Sequence, residues 1–267
     1  MWQHAIVAWR SGLRSRSFHA LVVLGLLAMG AAYLAAQFSG RQPNTVALDV
    51  GISGVRFVAL LMVVFWCQEL VAREVERKTV FFALAYPVPR SHYLLGRYLG
   101  VLALAACSIV ILGGLMSLMV SVSGGNFVQV SPVEIGFGLW ATMLYVFIDI
   151  AVVAAFTILI ATISTTPLLP LALGVAFAIA ARSLGTALAY LRDKDSGAVD
   201  VADALGPVVS AFQWLIPDLG RLDIRSAALY GQWPTFEVAA LSAAMCATYI
   251  IATLAISTVI FRNRQFS

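Results

Sequence analysis

Six apolar runs, each about 20 residues long, dominate this chain and leave few folds open to it. They lie at 18–38, 51–71, 93–120, 135–160, 168–190 and 238–261. A run of that length crosses a hydrocarbon layer of roughly 30 Å as an α-helix. Inside lipid the backbone has no water to bond to, so a spanning segment must satisfy its own N–H and C=O groups. The composition agrees: 61% of the 267 residues are hydrophobic and only 11% are charged, against roughly 25% charged in soluble domains. The reading is an all-α integral membrane protein, one domain over 1–267 with six transmembrane helices.

The charges cluster at the ends of the runs, and their pattern sets an orientation. With the N-terminus in the cytoplasm, Arg10, Arg14, Arg16, Arg73, Arg77, Lys78, Arg90, Arg97, Arg262 and Arg264 fall on the cytoplasmic side. The basic residues left for the other side belong mostly to one long loop, which counts little for topology. Both termini are therefore expected in the cytoplasm. The net charge of +4 follows from this retention beside anionic lipid and calls for no nucleic-acid partner.

Ahead of the first run, Trp2, Ile6, Trp9 and Leu13 recur at helical spacing with Arg10 and Arg14 elsewhere on the wheel. That pattern predicts an amphipathic helix over 1–17, lying in the interface with its Trp rings at headgroup depth. A signal-peptide leader is the alternative, but the run that follows is longer than the usual apolar core of one. Between the fifth and sixth runs, 196–237 mixes apolar stretches with Gly206, Pro207 and Pro217 and carries Trp214, Tyr230 and Trp233. It reads as short helices in or on the outer leaflet, or else as a small folded outer loop.

Chemistry-bearing motifs are sparse. Cys67, Cys107 and Cys246 sit singly inside apolar runs, as packed thiols rather than a disulfide or metal pair. His4, His19 and His92 are scattered, and the spacing of a zinc protease, a serine hydrolase or an ATP-binding P-loop is absent. Asp149 stands inside the fourth run, where an ionisable residue is costly. It is either a functional group, such as a proton relay, or the structural partner of Arg56, Arg182 or Thr142. Arg56 and Arg182 themselves fall toward the outer halves of their runs and are expected to snorkel to the headgroups. Small residues of the fifth run (Ala172, Gly174, Ala176, Ala178, Ala180, Ala181) permit close helix packing.

The dense charge of the chain lies between the second and third runs. Glu69 with Arg73, and Glu74 with Lys78, are i,i+4 pairs in the favourable order. Val80, Phe81, Phe82 and Leu84 follow, Pro87 and Pro89 break the pattern, and Ser91 can cap the next helix. The spacing predicts a short cytoplasmic helix joined firmly to two spans; a solvated positive-inside loop is the plainer alternative.

Glu76-Arg77-Lys78-Thr79, then Leu84, Pro87 and Arg90, then Tyr93-Leu94-Leu95-Gly96-Arg97 with Gly100, resemble the permease subunits of ABC type-2 transporters. The likeness extends to the whole layout: an N-terminal interfacial helix, six spans, a long outer loop before the sixth, and a basic C-terminus. The turn Ile216-Pro217-Asp218-Leu219 is similar to a branch of those permeases labelled as multi-copper-enzyme maturation components. The resemblance implies an exporter permease of the bacterial inner membrane, with 73–90 as the coupling region that seats in a separate ATPase subunit. Arg73, Glu74, Glu76, Arg77, Thr79, Leu84, Pro87, Arg90 and Gly96 would then serve the coupling. It implies two permease copies, as a homodimer, above two ATPase subunits that hold ATP and magnesium. The permease itself would be no enzyme and would carry no cofactor. Two other classes stand beside this reading: an ion-coupled transporter acting alone through Asp149, and a membrane-embedded enzyme or assembly scaffold. A nucleophile–base or metal constellation, which the enzyme reading needs, is not visible.

Overall fold

The computed structural model describes residues 2–72, 90–123, 133–166, 168–192 and 216–263. Among them every regular element is helical. The helices are α1 (Trp2–Leu13), α2 (Arg16–Phe38), α3 (Pro43–Cys67, continued by a π-helical turn over Gln68–Ala72), α4 (Arg90–Ser123), α5 (Phe137–Ile163) and α6 (Leu168–Arg192). A 3₁₀ turn over Leu219–Leu222 precedes α7 (Arg225–Tyr230) and α8 (Phe236–Asn263). Six of these, α2 to α6 and α8, are long and apolar enough to cross a membrane. The protein is a multi-pass membrane protein.

Local chemistry explains the helix starts. Ser15 caps α2, its Oγ accepting from the Phe18 N–H at 3.1 Å. Pro43 opens α3 from the first turn, where its missing N–H costs nothing. The second run was expected from residue 51, yet the helix begins at Pro43 and carries Asp49 and Arg56 along it. The physical reason is that both charges find partners, as described below, so neither ends the helix.

α3 and α5 form the centre. In each, 67% of the most apolar 18-residue stretch is buried, against 22% in α2 and α8 and 28% in α6. The outer helices therefore present apolar surface, such as Leu27, Leu34, Ile251 and Val259, that a soluble protein would hide and lipid would cover. Within the centre, Val152, Val153, Ala154 and Ala155 are fully buried. Phe156, Phe177 and Tyr249 stack in series across α5, α6 and α8, with centroids 4.0 and 5.8 Å apart. In α6, Gly174, Ala178 and Ala181 face inward and Ala172, Ala176 and Ala180 outward. A Cβ on Gly174 would stand 2.6 Å from Thr157 Oγ1, so close packing of the small residues is real on one face only.

α1 packs on the bundle through its small residues. Its inward residues are Ala5, Ala8 and Gly12, while Ile6 is 48% exposed. A Cβ on Gly100 of α4 would lie 2.5 Å from Ala8 Cβ, and one on Gly12 would lie 2.3 Å from Leu104 Cδ1. Two helices approach this closely only where both surfaces are small. Trp9 and Leu13 remain partly buried beside that seam, and the side chain of Trp2 lies outside the described residues.

The described part of the loop before α8 does contain short helices. They are wedged into the bundle rather than laid on its surface: Leu219, Leu222, Ala227 and Ala228 are at most 1% exposed. Glu134 N–H donates to Ala228 O at 3.1 Å, tying α7 to the start of α5. Gly231, in the left-handed conformation at φ 66°, ends α7 as a helix C-cap glycine does. Trp214 lies outside the described residues.

Candidate functional site

Two regions stand out by chemistry. The first is the connection between α3 and α4. Arg73, Glu74, Glu76, Arg77, Thr79, Leu84 and Pro87 lie outside the described residues, as does the side chain of Arg90, whose backbone opens α4. The two ends of the connection are described. α3 leaves its regular course at the π-helical turn Gln68–Ala72, with Leu70, Val71 and Ala72 buried. Such turns are uncommon and recur at functional sites. On the other side, Tyr93 stacks on Phe261 of α8 at 5.7 Å, and the Arg97 guanidinium lies 5.4 Å from the centre of the Tyr93 ring. Tyr98 donates its hydroxyl to Ala151 O of α5 at 3.2 Å. Gly96 is buried, and Gly100 receives α1. Both ends of the connection are thus anchored in packed helices.

The second region is a chain of ion pairs through the bundle. Arg182 of α6 pairs with Asp149 of α5. Arg56 of α3 lies 3.7 Å from the same carboxylate through Nε. It also grips Asp223 with both terminal nitrogens, at 2.9 and 3.3 Å, a bidentate geometry that adds direction to charge. Asp223 accepts from Arg225 Nη2 at 2.7 Å and Nε at 3.0 Å, and Arg225 Nη1 reaches Asp49 of α3 at 2.7 Å. The order is therefore Arg182, Asp149, Arg56, Asp223, Arg225, Asp49, three cations alternating with three anions. Arg56 is 4% and Asp149 1% exposed. Charges this deep persist when each is compensated.

Each element has a reason to be there. Gly185 lets α6 meet the 3₁₀ turn, since a Cβ on it would lie 2.7 Å from Asp218 Oδ2. Asp218 caps that turn through the Gly220 N–H at 3.1 Å and pairs with Arg221 at 3.2 Å. The turn then delivers Asp223 to Arg56. Burial opposes the charge on Asp223, but hydrogen bonds from Arg225 and Arg56 outweigh it and hold the carboxyl below the ordinary carboxylate range. The Asp223 hydrogen bond, against burial and helped by Asp49, holds the Arg225 guanidinium above its ordinary value.

These contacts correct one expectation, the snorkelling of two arginines, and agree with one alternative for Asp149, its pairing with Arg56 and Arg182. Arg56 and Arg182 do not reach out to headgroups as a substitute for pairing; both hold Asp149. Of the partners considered for Asp149, Thr142 bonds elsewhere, donating to Gly138 O at 2.8 Å. Asp223 and Arg225 carried no signal of their own in the sequence, because the contact joins positions 167 apart. Thr157 bonds its own helix, donating to Val153 O at 2.8 Å.

Beside the ion-pair chain, between α3 and α6, lies a cavity of ≈ 360 Å³. Arg56, Arg182 and Arg225 line its polar end, and Leu60, Leu61 and Val175 are among its apolar walls.

No curated protein matches the chain significantly. The family model described as "ABC-2 family transporter protein" matches residues 5–266, which takes in α1, all six long helices and both regions above. A match of that extent assigns the whole fold rather than a local motif: the chain belongs to the ABC-2 family of transporter proteins.

Proposed function

We propose that the chain is the permease subunit of an ATP-binding-cassette exporter, driven by a separately encoded ATPase subunit. The observation that carries this reading is the family match over residues 5–266. The chain has no P-loop to bind ATP itself, so ATP and its magnesium belong to the partner. Two copies of the permease pair as a homodimer in a bacterial inner membrane. Both termini and the 73–90 connection face the cytoplasm, in keeping with the distribution of Lys and Arg.

In this reading force enters at 73–90. Closure of the ATPases presses on that connection, which continues directly into α3 and α4. Two features favour transmission over loss. Tyr93 and Tyr98 tie the start of α4 to α8 and α5, and Arg56 ties α3 to α5 and to the segment before α8. A push on the connection is therefore felt by α5, α8 and the segment before α8. Asp149 acts as a structural counter-charge, since two guanidiniums hold it.

The test is co-purification. The wild-type chain should bring down an ATPase subunit, and the double variant Glu76→Lys/Arg77→Glu should release it while the permease stays folded and in the membrane. Full transport in vesicles that contain neither ATP nor a partner protein would overturn the proposal.

A further inference from the structure

α8 meets the rest of the bundle unevenly, and its largest buried contact lies beside the connection between α3 and α4. We propose that Phe261 is a positioning residue for transport: movement of that connection is handed to α8 there and carried along it to the segment before it. This deepens the reading of 73–90 as the place where force enters, and rests on it.

α8 packs mainly on α5. Its buried face is a stripe of Ser242, Cys246, Thr253, Ser257 and Phe261 at helical spacing, with Leu254 beside it. All of the stripe is small except its last member. The hydroxyls of Ser242, Thr253 and Ser257 donate to carbonyls of α8 itself: Val238 O at 2.8 Å, Tyr249 O at 2.7 Å and Thr253 O at 2.7 Å. A hydroxyl has one hydrogen to give, so none is left for the helix alongside. Midway along, the partly buried Tyr249 stacks on Phe177 of α6, a helix that does not join the connection. A close contact built from small side chains lets packed helices slide past one another by small steps.

Phe261 breaks that pattern. It is the one large side chain of α8 with no exposed surface. Its ring stacks on Tyr93 of α4, with the two planes 12° apart, and Tyr93 is 1% exposed. Tyr93 stands three residues after Arg90, where α4 begins. The Arg97 guanidinium, one turn further on, lies over the Tyr93 ring and is itself buried, so the ring is held to its own helix. A close-packed interior transmits displacement, and a shift of the α4 start therefore moves Phe261. From there α8 runs unbroken for 28 residues, about 42 Å. Residues 231–235 alone separate its far end from α7. The segment that carries α7 also carries Asp223, which Arg56 grips. A shift of α8 thus reaches that segment, at the opposite end of the bundle from the push.

The test uses the full-length permease with its co-purified ATPase subunit in lipid nanodiscs, and follows amide hydrogen exchange before and after trapping with ATP and vanadate. In the wild type, trapping should alter exchange at the start of α4 and raise it over 216–235 by about threefold. Phe261→Ala should keep the ATPase bound and keep the response at α4, yet lose the response over 216–235. Without nucleotide its exchange over 216–235 should equal that of the wild type, which a general loss of packing would not give. Tyr93→Leu removes the stack from the α4 side, leaves α8 intact and should lose the same response. Tyr93→Phe, which keeps the ring, should restore it, and Val259→Ala on the exposed face of α8 should respond fully. A wild-type response confined to α4 would overturn the proposal, as would a full response over 216–235 in Phe261→Ala and Tyr93→Leu. So would a nucleotide-free Phe261→Ala protein that already exchanges as fast as the trapped wild type. Failure of any ATPase to co-purify is a separate outcome, which brings down the permease reading and this proposal with it.

Discussion

If Asp149 is held as a structural counter-charge, its cost on removal depends on which cation is left behind. Asp149→Asn keeps the shape and deletes the charge. Arg56 still has Asp223 in a bidentate grip, so the loss falls on Arg182. Its side chain is 30% exposed and can turn outward to water or a headgroup. Breaking a buried pair costs about 3–5 kcal/mol, and this route of escape puts Asp149→Asn at or below the low end, about 2–3 kcal/mol. Arg182→Gln is worse. It leaves Asp149, 1% exposed, with only Arg56 Nε at 3.7 Å, and about 4 kcal/mol is expected. The double variant Asp149→Asn/Arg182→Gln swaps the ion pair for a neutral hydrogen-bonding pair. It should lose far less than the two single losses combined, with a coupling of about 2–3 kcal/mol. Purified variants compared by thermal unfolding in one detergent provide the assay. Asp149→Asn should melt highest of the three, and the double variant should melt close to Arg182→Gln rather than far below it. Additive losses, or an Asp149→Asn protein as stable as wild type, would refute the structural role and return Asp149 to the functions of an unpaired intramembrane acid.

Gly100→Leu should detach α1. The side chain would start 2.5 Å from Ala8 Cβ, and overpacking of this kind costs about 1–3 kcal/mol, so trypsin should cut faster at the exposed Arg10 and Arg14. Gly30→Leu, where nothing lies within 4 Å, should leave the cleavage rate unchanged. The Asp223 latch should be insensitive to pH across the neutral range. Its folded-state pKa is depressed, so its contribution is fully present above the unfolded carboxylate value of about 3.9 and is lost only as pH falls below that. In Asp223→Asn the stability difference from wild type should accordingly be constant from pH 6 to 8 and shrink below about pH 4. A difference that instead vanishes near pH 6 would mean that the carboxyl is not held by Arg56 and Arg225.

Much of the fold was open to reading from the chain alone, and the part that was not has one geometrical cause. Length and apolarity report six spans because lipid forces each to satisfy its own backbone. They do not report pairing. Small residues are also silent in a hydropathy pattern, so the contact that Ala5, Ala8 and Gly12 make with the bundle gave no signal there. The misreading of Arg56 has a different origin. A second span starting at residue 51 places Arg56 about 8 Å from the span's end at 1.5 Å per residue, within reach of headgroups. The helix starts at Pro43, which puts Arg56 about 20 Å along it from that end. Counted the same way, Asp149 lies about 18 Å from the start of α5 and Arg182 about 15 Å from the end of α6. In an alternating bundle those three helix ends share one side, so the three charges meet at one depth. Correct helix ends would therefore have turned three isolated intramembrane charges into one cluster from the sequence alone. Asp49, which lies ahead of that expected start, is itself the anion that closes the far end of that cluster through Arg225. Hydropathy truncates a span at a charge, and here the charge was inside the span because it was paired.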